Sequence, residues 1–148
     1  MEINWAEGFP LMSGPFQIGH AEPSPETAGY WEGVRVGELR IKRCTGCGTH
    51  HHPRRILCMA CNGDEFDWVR CSGAGTVYTF STVHRAPTRE FDADLPYTVG
   101  VVELAEGVFV FSRILPPDGG EVAIGAPVEL TFREIGPHGK LPAFRMRG

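Results

Sequence analysis

The chain has 148 residues, the length of one ordinary domain or of two small modules. Its formal net charge is −4, which disfavours a nucleic-acid-binding function because such domains normally carry a broad basic surface. There is no run of about 18 apolar residues to span a bilayer, and the first residues do not read as a secretory signal. We therefore expect a soluble, cytoplasmic protein without a membrane segment.

The N-terminal part of the chain divides into an arm and a helix. Residues 1–23 mix Gly and Pro with large apolar side chains that follow neither a helical nor a strand period, so we predict an extended arm. Ser24 is a suitable helix cap, Pro25 suits the first helical position, and Gly37 is a natural end. These signals predict a short amphipathic helix over residues 24–37.

Four of the five cysteines form two C-x2-C pairs, Cys44 with Cys47 and Cys58 with Cys61. Such a turn supplies two thiolates from one tight loop, and two turns complete the tetrahedral set that zinc prefers. We predict one structural zinc in a ribbon over residues 38–68, because four thiolates leave no coordination position for a substrate or an activated water. Iron in a rubredoxin-like site uses the same ligands and remains an alternative.

Other metal-binding or nucleophilic residues have simpler explanations. The three consecutive histidines from His50 to His52 cannot all face one ion, and a proline follows them, so we predict a solvated loop. Cys71 stands alone in an alternating strand, a position typical of an inert buried thiol. His84 and Arg85 end a long strand, where we expect solvated side chains, and contact with an anionic ligand is the alternative.

Residues 69–148 are predicted to fold as a small barrel. Short β patterns separated by Gly and Pro indicate strands, which we place near residues 66–71, 76–84, 97–104, 108–115, 127–134 and 142–147. Many short strands in about 80 residues favour a closed OB-fold barrel. We expect most of the aromatic side chains to fill it, with a stacking platform for bases as the alternative; they are Tyr78, Phe80, Tyr97, Phe109, Phe111, Phe132 and Phe144. The predicted fold is mainly β, with an N-terminal helix, a rubredoxin-like zinc ribbon and this barrel.

The order of these motifs is more specific than any one of them. The chain resembles the zinc-ribbon/OB-fold family of acyl-CoA-associated proteins over about residues 24–147. The resemblance rests on the stretch PETAGYWEGVRVGELRIKRCTGCG, on Pro53-Arg54, on Cys58 to Cys61, on Trp68, on Gly73-x-Gly75, on Pro96-Tyr97, and on the closing segments IGAPV and LPAF.

The resemblance implies a function as well as a fold. It implies a non-catalytic, zinc-binding partner subunit of a thiolase-fold enzyme, which is a thiolase, an acyltransferase or an aldolase. The assembly would be a hetero-oligomer with acyl-CoA at or near the subunit interface. The family has no short CoA motif, and we expect Arg85, Arg89 and Tyr97 to approach the CoA.

Two other functions remain as alternatives. Zinc ribbons and OB-folds both occur in nucleic-acid-binding proteins, although the acidic charge argues against that class here. A free-standing electron-transfer protein would require iron and a redox partner. Under the preferred hypothesis the arm and helix supply much of the attachment, because the arm carries apolar side chains with no amphipathic period, at Phe9, Leu11, Met12, Phe16 and Ile18.

Overall fold

The computed structural model describes residues 24–87, 89–134 and 140–147. The predicted arm, residues 1–23, lies outside the described residues. Within them, the chain forms α1 (Ala28–Arg35), β1 (Arg40–Cys44), β2 (His50–His51), β3 (Phe66–Arg70), β4 (Ala74–Val83), a 3-10 helix (Arg89–Asp94), β5 (Tyr97–Leu104), β6 (Phe109–Leu115), β7 (Pro127–Glu134) and β8 (Lys140–Met146). No helix in these ranges is long and apolar enough to cross a membrane.

The helix begins later than predicted. It starts at Ala28, because residues 24–27 form a separate turn in which the Thr27 amide donates to the Ser24 carbonyl at 3.0 Å. The Ser24 hydroxyl lies 3.1 Å from the Thr27 hydroxyl, so it does not cap the helix. Gly37 ends the segment as predicted, with a φ of +81° that favours glycine.

The ribbon is a three-stranded antiparallel sheet in the order β2-β1-β3. Its central strand is buried on both faces. Leu39 and Ile41 pack into the main core, and Lys42 lies on the opposite face with its ammonium 5.2 Å from the Trp68 ring centre. The Lys42 Nζ also donates to the Arg55 carbonyl at 2.9 Å, so this lysine ties the loop between the cysteine pairs to the sheet.

The barrel closes in the order β4-β5-β6-β8-β7. β8 is parallel to β6 and antiparallel to β7, and β7 returns to β4 to close the barrel. Gly107, with a φ of +81°, closes the β5–β6 hairpin, and no helix occurs between β6 and β7. The predicted fold, with a helix, a zinc ribbon and an OB-type barrel, is confirmed.

The barrel interior is mostly aliphatic, so the prediction that most of the aromatic side chains fill it is wrong. Phe144 is fully buried, whereas Tyr78 is 59% exposed and Phe111 is 72% exposed. Space explains the difference: at Gly100, a Cβ would already clash with the backbone of β4 and with the Ile114 side chain. The buried barrel residues are mostly small or branched, at Val77, Val102, Leu104, Val108, Val110, Ile114, Val122 and Val128.

The ribbon and the barrel share one core. Leu39 and Ile41 of the ribbon belong to the same buried cluster as the barrel residues, and the Cys71 amide donates to the Leu39 carbonyl at 2.8 Å. Burial raises the pKa of Cys71 to about 12, so its thiol is protonated at neutral pH. The predicted burial of Cys71 is therefore confirmed.

Candidate metal centre and adjacent groove

The two C-x2-C turns bring their sulfur atoms together. The Sγ atoms of Cys44, Cys47, Cys58 and Cys61 all lie within 4.8 Å of one another, and we call them the four-cysteine cluster. Cys44 and Cys58 are buried, whereas Cys47 and Cys61 are exposed. The cluster therefore lies at the surface, with one member of each pair turned inward.

Backbone geometry explains why these short segments place two sulfurs each. The Gly48 amide donates to the Cys44 carbonyl at 2.9 Å, and the Asn62 amide donates to the Cys58 carbonyl at 2.9 Å. Gly48 and Asn62 have φ values of +77° and +61°. Glycine and asparagine are the residue types that accept this left-handed conformation most readily.

Polar groups surround two of the sulfurs. The Thr49 hydroxyl lies 3.1 Å from the Cys47 Sγ. The His51 Nε2 lies 3.1 Å from the Cys58 Sγ, and the Ala60 amide donates to the same sulfur at 3.4 Å.

His51 corrects the sequence prediction of a solvated histidine loop. Its side chain is buried, because β2 pairs with the buried central strand β1 and turns this residue inward. His50 is half-buried and His52 is exposed, as a loop residue would be. The alternation of a two-residue strand is too short to be recognised in the sequence.

The crowding of four thiols suits a divalent cation. The Thr49 hydroxyl is the main cause that lowers the pKa of Cys47 to about 6. Although the Gly63 amide opposes the effect, the three neighbouring thiols raise the pKa of Cys61 to about 12. Several negative charges so close together repel one another, and zinc bound at the centre would stabilise all four as thiolates. The donor set and its geometry therefore fit the metal that the sequence predicts.

A groove of about 800 Å³ lies beside the ribbon, and we call it the helix–barrel groove. Its walls come from the segment before and within α1, from the loop at residues 52–56, and from strands β5, β6, β7 and β8. Tyr30 and Trp31 form part of the helix wall, and Val99, Phe111 and Leu141 form part of the barrel wall. This volume is in the range of small-molecule and cofactor sites.

A charged cluster lies at one side of this groove. The Arg113 guanidinium stacks 3.8 Å from the Tyr97 ring centre, and the Asp94 carboxylate contacts Arg113 at 3.4 Å and Arg133 at 2.5 Å. The Arg133 hydrogen bond is the main cause that lowers the pKa of Asp94 below its ordinary value. Two guanidinium groups share one carboxylate, so the cluster retains a net positive charge.

The three residues expected to approach CoA are only partly brought together. Tyr97 lines the helix–barrel groove, whereas Arg85 and Arg89 are exposed and are not among the residues that line it. Sequence reasoning missed Arg113 and Arg133, since nothing local distinguishes them from solvated strand arginines. Their role depends on a barrel that places them beside Asp94.

Two family models match adjacent parts of the chain. The model described as ChsH2, rubredoxin-like zinc ribbon domain, matches residues 31–67. The model described as ChsH2, C-terminal OB-fold domain, matches residues 68–133. These matches confirm the zinc ribbon and the OB-fold.

Individual proteins agree with these models. A DUF35 domain-containing scaffold protein of Methanocaldococcus jannaschii is 40% identical over 94 residues, which are 63% of this chain and 66% of that protein. The benzoylsuccinyl-CoA thiolase subunit BbsA of Thauera aromatica is 30% identical over 103 residues, which are 68% of this chain and 67% of that protein.

A solved structure is also similar. A chain of the Ltp2-ChsH2(DUF35) aldolase has a TM-score of 0.72 and 34% sequence identity, and the match covers 83% of this chain and 95% of that chain. The chain also matches two hydratase alpha subunits, and it spans only 37% and 34% of their lengths.

Proposed function

Because this chain belongs to the ChsH2 family of DUF35 zinc-ribbon and OB-fold proteins, we propose that it is a non-catalytic accessory subunit of a thiolase-type acyl-CoA enzyme. The enzyme partner would be a thiolase, an acyltransferase or an aldolase. The proposal is supported by relatives described as a thiolase subunit and as part of an aldolase. In this assignment the ribbon and barrel bind the partner enzyme in the complex, and the partner supplies the catalytic residues.

The metal has a structural role in this proposal. Cys44, Cys47, Cys58 and Cys61 would hold one zinc ion, which would fix the two turns and the loop between them. Four thiolates fill the coordination sphere, so no position remains for a substrate or a nucleophilic water. This donor set supports an accessory role better than a catalytic one.

The single observation that carries the acyl-CoA part of the proposal is the helix–barrel groove. Its mostly apolar walls suit an acyl or pantetheine chain, and the cluster of Arg113, Arg133 and Asp94 beside it suits an anionic group. Tyr97 connects the two regions, because its ring lines the groove and stacks against Arg113. The groove would bind acyl-CoA at or near the contact with the partner enzyme.

Arg85 and Arg89 remain proposed CoA contacts. Both are exposed, and Arg89 begins the 3-10 helix whose Phe91 lines the groove. In this proposal the two arginines would contact the anionic phosphate groups of a CoA bound in the groove. Their contribution would then be to phosphate groups and not to the acyl chain.

The experiment compares the chain alone with the complex from its native source. We expect a thiolase-superfamily enzyme to co-purify with the chain, and we expect acyl-CoA turnover by the complex but not by the isolated chain. In the complex, Arg113→Gln should raise the KM for acyl-CoA about tenfold, as the loss of a charge-assisted hydrogen bond implies. Arg145→Gln is the matched control, because that exposed arginine pairs with Glu129 away from the groove.

The outcomes separate the parts of this proposal. A monomer in the native extract would contradict the accessory role. An unchanged KM in Arg113→Gln, with a complex that still assembles, would contradict the groove as the acyl-CoA site. Turnover by the isolated chain would contradict the non-catalytic assignment.

A nucleic-acid-binding function is the second candidate, and one observation favours it. Tyr78, Phe109 and Phe111 are exposed on the barrel surface, where aromatic side chains of OB-folds can stack on bases. The net charge of −4 opposes it, since phosphate contacts dominate such binding. We expect no binding of single-stranded DNA or RNA tighter than about 100 μM at physiological salt, the range of weak nonspecific association. Micromolar binding in an anisotropy titration would favour the second candidate.

A further inference from the structure

We propose that His51 is a positioning residue of the metal centre, whose Nε2–H group donates a hydrogen bond to the Cys58 thiolate. The inference rests on the zinc site proposed above, and it adds a residue that lies outside the four ligands. The proposal specifies one tautomer of His51, with the proton on Nε2, and one acceptor, the Cys58 sulfur.

The contact between the two residues is short and enclosed. The His51 Nε2 lies 3.1 Å from the Cys58 Sγ, and both residues are buried, at 7% and 0% exposure. The imidazole packs edge-on against the Phe66 ring, with centroids 5.8 Å apart and an interplanar angle of 89°. β2 holds the residue in place by pairing His51 with Lys42 of the central strand. The ring is therefore held from the backbone and from its side.

The acceptor needs such a donor. Four thiolates around one zinc ion carry an excess negative charge, and a buried sulfur cannot share that charge with bulk water. Cys47 and Cys61 are exposed, so solvent can reach them, whereas Cys44 and Cys58 are buried. Of the two buried sulfurs, Cys58 is the one with the His51 ring and the Ala60 amide as polar neighbours among the described contacts. Hydrogen bonds from outside the coordination sphere orient a ligand and stabilise its bound form.

A direct ligand role for His51 is the rival interpretation. Four sulfur atoms within 4.8 Å of one another already complete a tetrahedral set. The His51 ring contacts one member of this set and lies outside it. The geometry therefore favours a donor to a ligand over a fifth ligand.

The first test measures zinc release from the full chain to a chromophoric chelator at one neutral pH. The wild-type zinc content is measured first, and about one zinc per chain is required. His51→Leu removes the donor, and we expect zinc release at least about tenfold faster, the lower end of the effects seen for outer-sphere partners. His51→Gln retains an amide N–H near the position of Nε2, and we expect release within about threefold of wild type.

His50→Leu is the matched control, because His50 adjoins His51 in the chain but has no sulfur contact of its own among the described residues. We expect its release rate to lie within about twofold of wild type. Wild-type release by His51→Leu, or equally fast release by His51→Gln and His51→Leu, would overturn the inference. The second result would mean that ring packing, and not the hydrogen bond, supports the site.

A second test needs no variant and covers the case in which His51→Leu fails to fold. In the wild-type chain loaded with cadmium-113 and labelled with nitrogen-15 at histidine, we expect scalar coupling between the metal and the His51 Nε2 proton through the Cys58 sulfur. A His51 ring whose Nε2 carries no proton would overturn the inference. A chain that binds no zinc or cadmium would instead contradict the metal site, so the two failures are distinguishable.

Discussion

The ribbon and the barrel are held together by different kinds of interaction. The barrel closes around mainly aliphatic side chains together with Phe144, and its residues Ile114 and Phe144 are completely buried. The outer end of the ribbon has no comparable core, because Ile56, Leu57 and Met59 beside the cysteines are exposed at 63%, 50% and 71%. A segment that buries so little apolar surface needs another source of stability, and the four-cysteine cluster supplies the ligands for one.

The boundary between these two regions does not coincide with the sheet. Leu39 and Ile41, at the base of the ribbon, pack into the barrel core, whereas Cys44 at the end of the same strand enters the metal centre. One strand thus depends on the barrel at its start and on the metal at its end. This arrangement predicts that loss of the metal would release the cysteine turns and leave the base of the ribbon folded.

The largest effect should follow from removal of a metal ligand. Cys58→Ser should abolish stable zinc binding, because structural zinc sites contribute about 10 kcal/mol or more to the folding of small metal-dependent modules. Hydrogen exchange should increase across residues 44–65 and remain slow in the barrel. Cys71→Ala is the control, because that cysteine is buried outside the cluster and should retain one zinc per chain. Full zinc content in Cys58→Ser would contradict this division.

A core truncation tests the other half of the comparison. Phe144→Ala should lower the free energy of unfolding of the barrel by about 3–5 kcal/mol, since it leaves a cavity at a fully buried site. Phe111→Ala, on the exposed outer face of β6, should change it by less than about 0.5 kcal/mol. Urea denaturation followed by far-ultraviolet circular dichroism, which reports on the barrel strands, provides both values. Equal losses in the two variants would show that the outer aromatic side chains contribute to the core after all.

The sequence was most informative where a local constraint decides the structure. The C-x2-C spacing predicts the four-cysteine cluster, and Gly48 and Asn62 occur where each turn needs a left-handed residue. Strand positions in the barrel were also recognisable, since β5 and β7 end where the Gly and Pro punctuation places them.

The sequence was least informative where distant residues decide the structure. Whether Tyr78 points inward depends on a register shift between Val77 and Thr79, which exists only in the pairing of β4 with β5. The contact between Asp94 and the two arginines likewise joins the 3-10 helix to two different strands. The burial of His51 also depends on a residue that is not its neighbour in sequence, because its strand β2 must pair with β1.

The ion pairs beside the groove should have a smaller effect that depends on pH. Arg133 and Arg113 hold the pKa of Asp94 below its ordinary value, so the carboxylate stabilises the fold above that value. This contribution is lost as the pH falls through the lowered pKa of the folded state. Asp94→Asn should therefore lower the free energy of unfolding by about 1.5–3 kcal/mol at pH 7, the usual range for hydrogen bonds to charged groups.

The control for Asp94→Asn is the pH dependence of its free energy of unfolding relative to wild type. The difference between wild type and Asp94→Asn should shrink as the pH falls below about 4, near the ordinary pKa of an aspartate, because the wild-type carboxylate is then progressively protonated. A difference that stays constant from pH 7 to pH 3 would show that the substitution acts through packing and not through charge.

The smallest expected effect concerns the aromatic pair outside the barrel. Tyr78 and Phe109 meet edge to face, with ring centres 5.0 Å apart and an interplanar angle of 72°, yet they are 59% and 45% exposed. Such a pair contributes about 0.5–1.5 kcal/mol beyond its buried area, and solvent exposure places this one at the lower end. A double-mutant cycle with Tyr78→Ala and Phe109→Ala should therefore give a coupling near about 0.5 kcal/mol.

Both single variants should keep their zinc, because neither side chain contacts the ribbon sulfurs among the described residues. A coupling above about 2 kcal/mol would place these rings among the residues that stabilise the barrel. The exposed aromatic side chains and the buried, mainly aliphatic ones would then differ in their position but not in their contribution to stability.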